Sequence, residues 1–258
     1  MNQPILDGHV AIITGASRGI GAATAREFAA QGATVVLAAR DAAALQMLAD
    51  ELNASGGRAI ALPADVWDPA SVRRLVEQAV NTFGHLDLAF NNAAGGGQGP
   101  TPLAELPVEA YDSAIAITLR GVFLSMKYEI PAMLASGGGA IVNMSSSAGV
   151  EGVGGLAGYV SAKHGVIGLT RSAAIDYADR NLRINAIAPG PILTERLEAA
   201  GVEARRAAGQ SLPMHRIGRP EEVARAVAWL CSDQASFITG TVLAIDGCML
   251  AGVAPFHE

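Results

Sequence analysis

Apolar positions along the chain follow two alternating patterns. Short β-branched or unbroken apolar runs are each followed by a longer stretch with helical spacing. The runs Val10–Thr14, Thr34–Ala38, Arg58–Leu62, Leu86–Phe90, Ala140–Met144, Arg183–Ile187 and Thr241–Ile245 predict seven strands. The stretches Gly19–Ala30, Ala42–Asn53, Pro69–Thr82, Pro107–Leu134, Gly158–Arg180 and Pro220–Cys231 predict helices between them. Pro69 suits a first helical turn and Asp68 the cap before it. A strand that reads as a continuous apolar run is covered on both faces. Helices between such strands make right-handed crossovers and a parallel, doubly wound α/β sheet.

No Pro- or Ser-rich linker, repeat or charge block divides the pattern, so residues 1–258 are expected to form one domain. Pro191–Arg219 is the least regular stretch. It is long enough to be a lid over a site.

Composition narrows the reading. Half of the 258 residues are apolar and 16% are charged, well below the ~25% charge of an average chain. So few charges do not keep a disordered coil solvated. The net charge of −6 argues against a nucleic-acid partner, which needs a basic face. Cys231 and Cys248 lack the framework of a disulfide scaffold, and none of the five histidines has ligand spacing to them, so reduced thiols and no metal are expected. Met1–Gly8 has no basic residue and no apolar core, unlike a signal peptide. The uncharged stretch Ile130–Val150 is broken by Pro131 and Gly137–Gly139, unlike a membrane span. The expected setting is the cytoplasm, with no membrane partner.

Two constellations carry chemistry. The first strand runs into Thr14-Gly15-Ala16-Ser17-Arg18-Gly19-Ile20-Gly21 and then a helix. Glycines there allow a sharp turn and close approach of a pyrophosphate to the helix N-terminus, where free N–H groups favour an anion. At the end of the second strand, where NAD-binding proteins usually place an acid, this chain has Ala39 followed by Arg40. Arg18 and Arg40 offer two guanidinium groups to a 2′-phosphate, which favours NADP(H) over NAD(H). Asp65 and Val66, ending the third strand, are expected beside the adenine. Asn91, Asn92 and Ala93, after the fourth, are expected along the next stretch of cofactor.

The second constellation is Tyr159 and Lys163, four residues apart on one helix face, with Ser146 thirteen residues before the tyrosine. A phenol of pKa about 10 is a poor proton carrier at neutral pH, and a nearby ammonium favours its phenolate. Such a tyrosine can protonate a carbonyl oxygen while a serine hydroxyl holds it.

Together with Pro189-Gly190, the tail Arg216–Val223 and Asp246-Gly247, these motifs resemble the short-chain dehydrogenase/reductase family over essentially the whole chain. The resemblance implies a single-domain Rossmann fold with a seven-stranded parallel sheet, pro-S hydride transfer and a homotetramer. It casts Ser146 as carbonyl binder, Tyr159 as acid–base, and Lys163 as modulator of the tyrosine and ribose anchor. Ile192 and Thr194 match positions that hold the nicotinamide carboxamide.

Three positions depart from the family pattern. Thr118 replaces an asparagine that supports a water in the proton relay behind the lysine, so a slower relay is expected. Ala94 stands where the family has glycine. Cys248 replaces the second glycine of Asp-Gly-Gly and is expected to pack near a subunit contact.

The reading is an NADP(H)-dependent carbonyl reductase or alcohol dehydrogenase acting on a small to medium, largely apolar molecule. Gly95–Gly97, Val150, Val153, Leu156 and the lid offer small or apolar surfaces to it, with Met144 and Met214 as further candidate contacts. Two alternatives stand beside this. One is a 3-oxoacyl-acyl-carrier-protein reductase, which needs cations that the loop Ala135–Gly139 lacks. The other is a cofactor sensor without catalysis, against which stands the presence of serine, tyrosine and lysine together.

Overall fold

The structure is a computed structural model that describes residues 4–95 and 99–252. Gly96 and Gly97, expected at the substrate pocket, lie outside the described residues. Seven parallel strands form one sheet in the order β3-β2-β1-β4-β5-β6-β7. They are β1 (Val10–Thr14), β2 (Thr34–Ala38), β3 (Arg58–Ala61), β4 (Leu88–Asn91), β5 (Gly139–Met144), β6 (Leu182–Pro189) and β7 (Val242–Ile245). The order reverses between β1 and β4, which opens a crevice at the carboxyl edge of the sheet.

Helices cover both faces. α1 (Gly19–Ala30), α2 (Ala42–Ala54) and α9 (Pro220–Cys231) pack on one, around Phe28, Leu45 and Val227. α3 (Pro69–Phe83), α5 (Gly121–Ala135) and α6 (Ala157–Tyr177) pack on the other, around Leu75, Met126, Met133 and Val166. Phe28 is fully buried in the first cluster, and truncating it to alanine should cost ~3–5 kcal/mol. Asp68 caps α3 as expected, accepting from the N–H groups of Ala70 and Ser71.

Boundaries shift where pairing, not local apolarity, decides them. The fourth strand begins at Leu88 rather than Leu86. The chain is still turning before it, with Leu86 donating to the Ser136 hydroxyl and the Asp87 carboxylate taking the Val10 N–H. β6 is longer than predicted because it pairs with both β5 and β7. The long helix expected over Pro107–Leu134 is three pieces: α4 (Val108–Ala114), a π-helical segment Ile115–Arg120, and α5. Helical spacing does not reveal such a π insertion, which widens the turns around Thr118.

The lid contains two short helices, α7 (Glu195–Ala199) and α8 (Val202–Gln210). A parallel bridge between Ile192 and Gly218 closes its base.

Candidate active site

The crevice floor is built by the ends of β1 and β4, which are locked together. The Thr14 hydroxyl accepts the N–H groups of Asn92 (3.0 Å) and Ala93 (3.1 Å). The Asn92 side-chain amide donates in return to the carbonyls of Thr14 and Gly15, both at 3.1 Å. Asn92 is therefore spent on bracing the glycine loop. Gly15 and Gly19 have φ of +66° and +55°, a region that glycine enters without the steric penalty of a Cβ. Gly21 is required by space instead: a Cβ there would overlap the Gly15 carbonyl oxygen and lie 2.7 Å from the Asn92 amide nitrogen.

Arg18 gives α1 no side-chain cap, and the N–H groups of Ile20 and Gly21 have no acceptor among the described residues. Unpartnered donors at the positive end of a twelve-residue helix, beside a loop too tight for side chains, fit a pyrophosphate. Arg18 and Arg40 are exposed, and neither forms an ion pair among the described residues. Asp65 and Val66 follow β3, half-buried. The Asp65 carboxylate takes the Trp67 N–H, and Val66 closes over Gly121.

The lid reaches over this loop. Pro189 ends β6 beside Ile245, and the Gly190 N–H continues that ladder to the Ile245 carbonyl. Ile192 is buried at 9% exposure, and Thr194 lies against Gly19. The residue after it has no counterpart in the sequence reading. The Glu195 carboxylate accepts the Gly19 N–H at 3.1 Å, so a lid anion occupies one of the donors that suit a phosphate. Nothing local marks it, because its partner is 176 residues away.

The catalytic candidates lie on two neighbouring elements, after β5 and on α6. Ser146 follows β5, half-buried, its hydroxyl accepting the Ala148 N–H at 3.2 Å. Tyr159 and Lys163 lie on α6, the lysine Nζ 5.7 Å from the tyrosine ring centroid. Lys163 is 1% exposed and donates to the Met144 carbonyl at 2.7 Å. Burial pushes its ammonium down from 10.5 to about 7. Thr118, fully buried in the π-helical segment, donates to the Gly95 carbonyl at 3.2 Å, so its proton braces the chain beyond β4.

Three expectations concern contacts farther out. Met144 is 7% exposed and packs in the core, whereas Met214 is 55% exposed on the lid. Cys248 is exposed in the left-handed region at φ +76°, which explains the glycine expected there. Among the described residues, no three His, Cys, Asp or Glu side chains gather as a metal set, and no helix is long and apolar enough to cross a membrane.

Asn91, expected along the cofactor, is instead 2% exposed and turns its side chain into a buried polar layer behind the crevice, whose Glu129 the sequence reading missed. Glu129 is 1% exposed on α5, and its carboxylate accepts from the Asn91 side-chain amide at 2.9 Å. Burial raises this carboxyl from 4.5 to about 7, against the lowering effect of the Asn91 hydrogen bond. A signal was available: Glu129 falls at helical spacing with Val122, Met126 and Met133, on the inward face.

Residues 15–249 match the family described as Enoyl-(Acyl carrier protein) reductase. The chain is 47% identical over 242 residues to cyclohexanol dehydrogenase of Acinetobacter sp. (strain SE19), covering 92% of this chain and 93% of that one. It is 44% identical over 238 residues to cis-4-hydroxycyclohexanecarboxylate dehydrogenase of Sinomonas cyclohexanicum, covering 92% and 95%. Among solved structures, a short-chain type dehydrogenase/reductase from Mycobacterium marinum superposes with a TM-score of 0.90 at 33% identity, covering 97% of this chain and 98% of that one.

Proposed function

The chain belongs to the short-chain dehydrogenase/reductase family, and on that premise we propose that it interconverts a ketone and a secondary alcohol with NADP(H), through Ser146, Tyr159 and Lys163. What supports this is the placement of Lys163 Nζ on the Met144 carbonyl, two residues before Ser146, with the Tyr159 ring 5.7 Å away, in a sheet whose glycine loop has donors that suit a pyrophosphate. Family membership implies a nicotinamide cofactor. The α1 N-terminus, the loop Gly15–Gly21, Thr194 and Ile192 are the groups to hold it, with Arg18 and Arg40 for a 2′-phosphate. When bound, the nicotinamide supplies or accepts the hydride.

The chain's own residues handle the proton and the oxygen. In reduction the Tyr159 hydroxyl donates to the carbonyl oxygen while the Ser146 hydroxyl holds it, and the reverse direction returns the proton to the tyrosine. Lys163 provides the adjacent positive charge, which favours the phenolate. Its buried ammonium donates to the Met144 carbonyl and would be further stabilised by that phenolate and by a ribose hydroxyl of the bound cofactor.

The substrate class is an alicyclic secondary alcohol or its ketone. The two curated relatives named above are dehydrogenases whose names specify six-membered ring alcohols. The exposed Val150 and Val153, between Ser146 and Tyr159 in the chain, supply apolar surface. A cytoplasmic setting accords with two free cysteines, and a homotetramer with the exposed apolar side chains Phe123 on α5 and Ile175 on α6. Sedimentation as a monomer would refute the assembly.

A second reading, reduction of a 3-oxoacyl-carrier protein, is favoured by a relative from Thermotoga maritima named 3-oxoacyl-acyl-carrier-protein reductase, 38% identical over 242 residues. Turnover of NADPH and NADH against a panel of cyclic ketones and a 3-oxoacyl-carrier protein decides between them. NADPH turnover lost in Tyr159→Phe is expected. Equal use of NADH would remove the role given to Arg18 and Arg40. Faster turnover of the carrier-protein substrate would replace the ring-alcohol reading.

A further inference from the structure

Among the described residues, Glu129 and Lys163 are the only charged side chains that are fully buried. They lie on different helices and form no ion pair, yet hydrogen bonds across two strand ends lead from Glu129 to α6, the helix of Lys163. Asn91 gives both amide protons away, one to Glu129 Oε2 at 2.9 Å and one to Asn143 Oδ1 at 3.1 Å. Asn91 and Asn143 are register partners at the ends of β4 and β5. Asn143 Nδ2 donates to the Thr170 hydroxyl at 3.0 Å, and that hydroxyl donates to the Val166 carbonyl at 2.7 Å. Val166 and Thr170 are on α6, the helix of Lys163. The residue after Asn143 is Met144, whose carbonyl receives Lys163 Nζ. Every amide proton in the chain is committed, while Asn91 Oδ1 is left without a donor. The orientation is therefore set by acceptors at its two ends, Glu129 Oε2 and the Val166 carbonyl, with Met126 Sδ 3.3 Å from Asn143 Nδ2 between them.

We propose that Glu129 is a positioning residue for Lys163: its carboxylate orients Asn91 and Asn143, which fix the end of β5 and the α6 turn that together hold the lysine ammonium. This rests on the proposed role of Tyr159 and Lys163 in catalysis. The ionised carboxylate is the strong acceptor that this orientation requires. The protonated acid brings a donor, and Asn91 Oδ1 is the acceptor without one. Protonation thus weakens the bias that keeps the chain in one direction. The charged groups on the surrounding elements point to solvent: Arg73, Arg74 and Glu77 on α3, Arg120 before α5, Lys127 on α5 and Arg171 on α6 are all exposed. Lys163 is the remaining titratable group inside this layer, and β4 and β5 contribute none.

The experiment compares kcat, KM and cofactor affinity of the wild type, Glu129→Gln and Thr170→Val between about pH 6 and pH 8.5, with Tyr159→Phe as control. Glu129→Gln should lower kcat about tenfold at the upper end, the scale of a small displacement of a reacting group, with KM and cofactor Kd nearly unchanged. The deficit should shrink toward the lower end, where the wild-type carboxyl is itself neutral. A purely structural defect would not close in this way. Thr170→Val keeps the charge and cuts the α6 end of the chain, so its smaller loss of kcat should not close at low pH.

A folded Glu129→Gln enzyme with wild-type kcat, or with a deficit constant across pH, overturns the proposal. If Glu129→Gln does not fold, an unchanged kcat in Thr170→Val overturns it. Wild-type turnover that survives in Tyr159→Phe removes instead the catalytic reading beneath it.

Discussion

Two buried ionisable groups titrating near the same pH make the stability of the cofactor-free protein depend on pH in a way that single substitutions expose. The Glu129 carboxyl is displaced from 4.5 to about 7. Between those values the native state holds a proton that the unfolded chain has released, so stability falls as pH rises. The loss amounts to about 3 kcal/mol and persists above pH 7. Lys163 is displaced from 10.5 to about 7. There the unfolded chain holds the proton that the native state has released, so stability rises with pH, by about 5 kcal/mol from pH 7 to 10.5. The two contributions reinforce each other at neutral pH, where stability from this pair is lowest.

Glu129→Gln removes the first limb alone. Its melting temperature relative to wild type should climb between pH 4.5 and 7 and then level off, by about 6–12 °C for a chain of this size. Lys163→Met should show the opposite trend, an advantage below pH 7 that fades by about pH 10.5. Differential scanning calorimetry on cofactor-free protein across this range measures both. A difference between Glu129→Gln and wild type that stays flat from pH 4.5 to 7 would refute the account of this layer as a reservoir of unpaired charge.

Three further outcomes follow from the crevice. Gly21→Ala forces a Cβ onto the Gly15 carbonyl, so cofactor binding by fluorescence titration should be lost while the circular dichroism spectrum persists; retained affinity would show that the loop relaxes freely. Glu195→Gln removes the anion that competes for the Gly19 N–H, so ADP and both dinucleotides should bind severalfold more tightly, as expected for about 1 kcal/mol at a helix N-terminus. Adenosine should bind as before, and an equal gain for adenosine would place the effect elsewhere. Thr118→Val leaves the Gly95 carbonyl without its donor and should cost about 1–3 kcal/mol in urea unfolding, with a lower kcat. Wild-type stability in that variant would mean that the link carries nothing.

What the sequence determined by itself was local or periodic. The order of strands and helices follows from alternating apolar runs. The glycine loop is legible because close approach and positive φ exclude other residues within a few positions. Tyr159 and Lys163 are legible because four residues make one helical turn. Ser146 is legible because it follows a strand end.

Other features depend on partners far away in the chain, and packing alone sets them. The π-helical segment at Thr118 breaks a run that spacing reads as one helix. Asn92 turns out to brace β1 rather than simply line the crevice, because Thr14 lies 78 residues away. Glu195 meets Gly19 only when the lid folds back over the first helix. The character of Glu129 and Lys163 is also tertiary. Sequence places each on a helix, but only packing removes their water, and removing the water is what brings a carboxyl and an ammonium to the same neutral range.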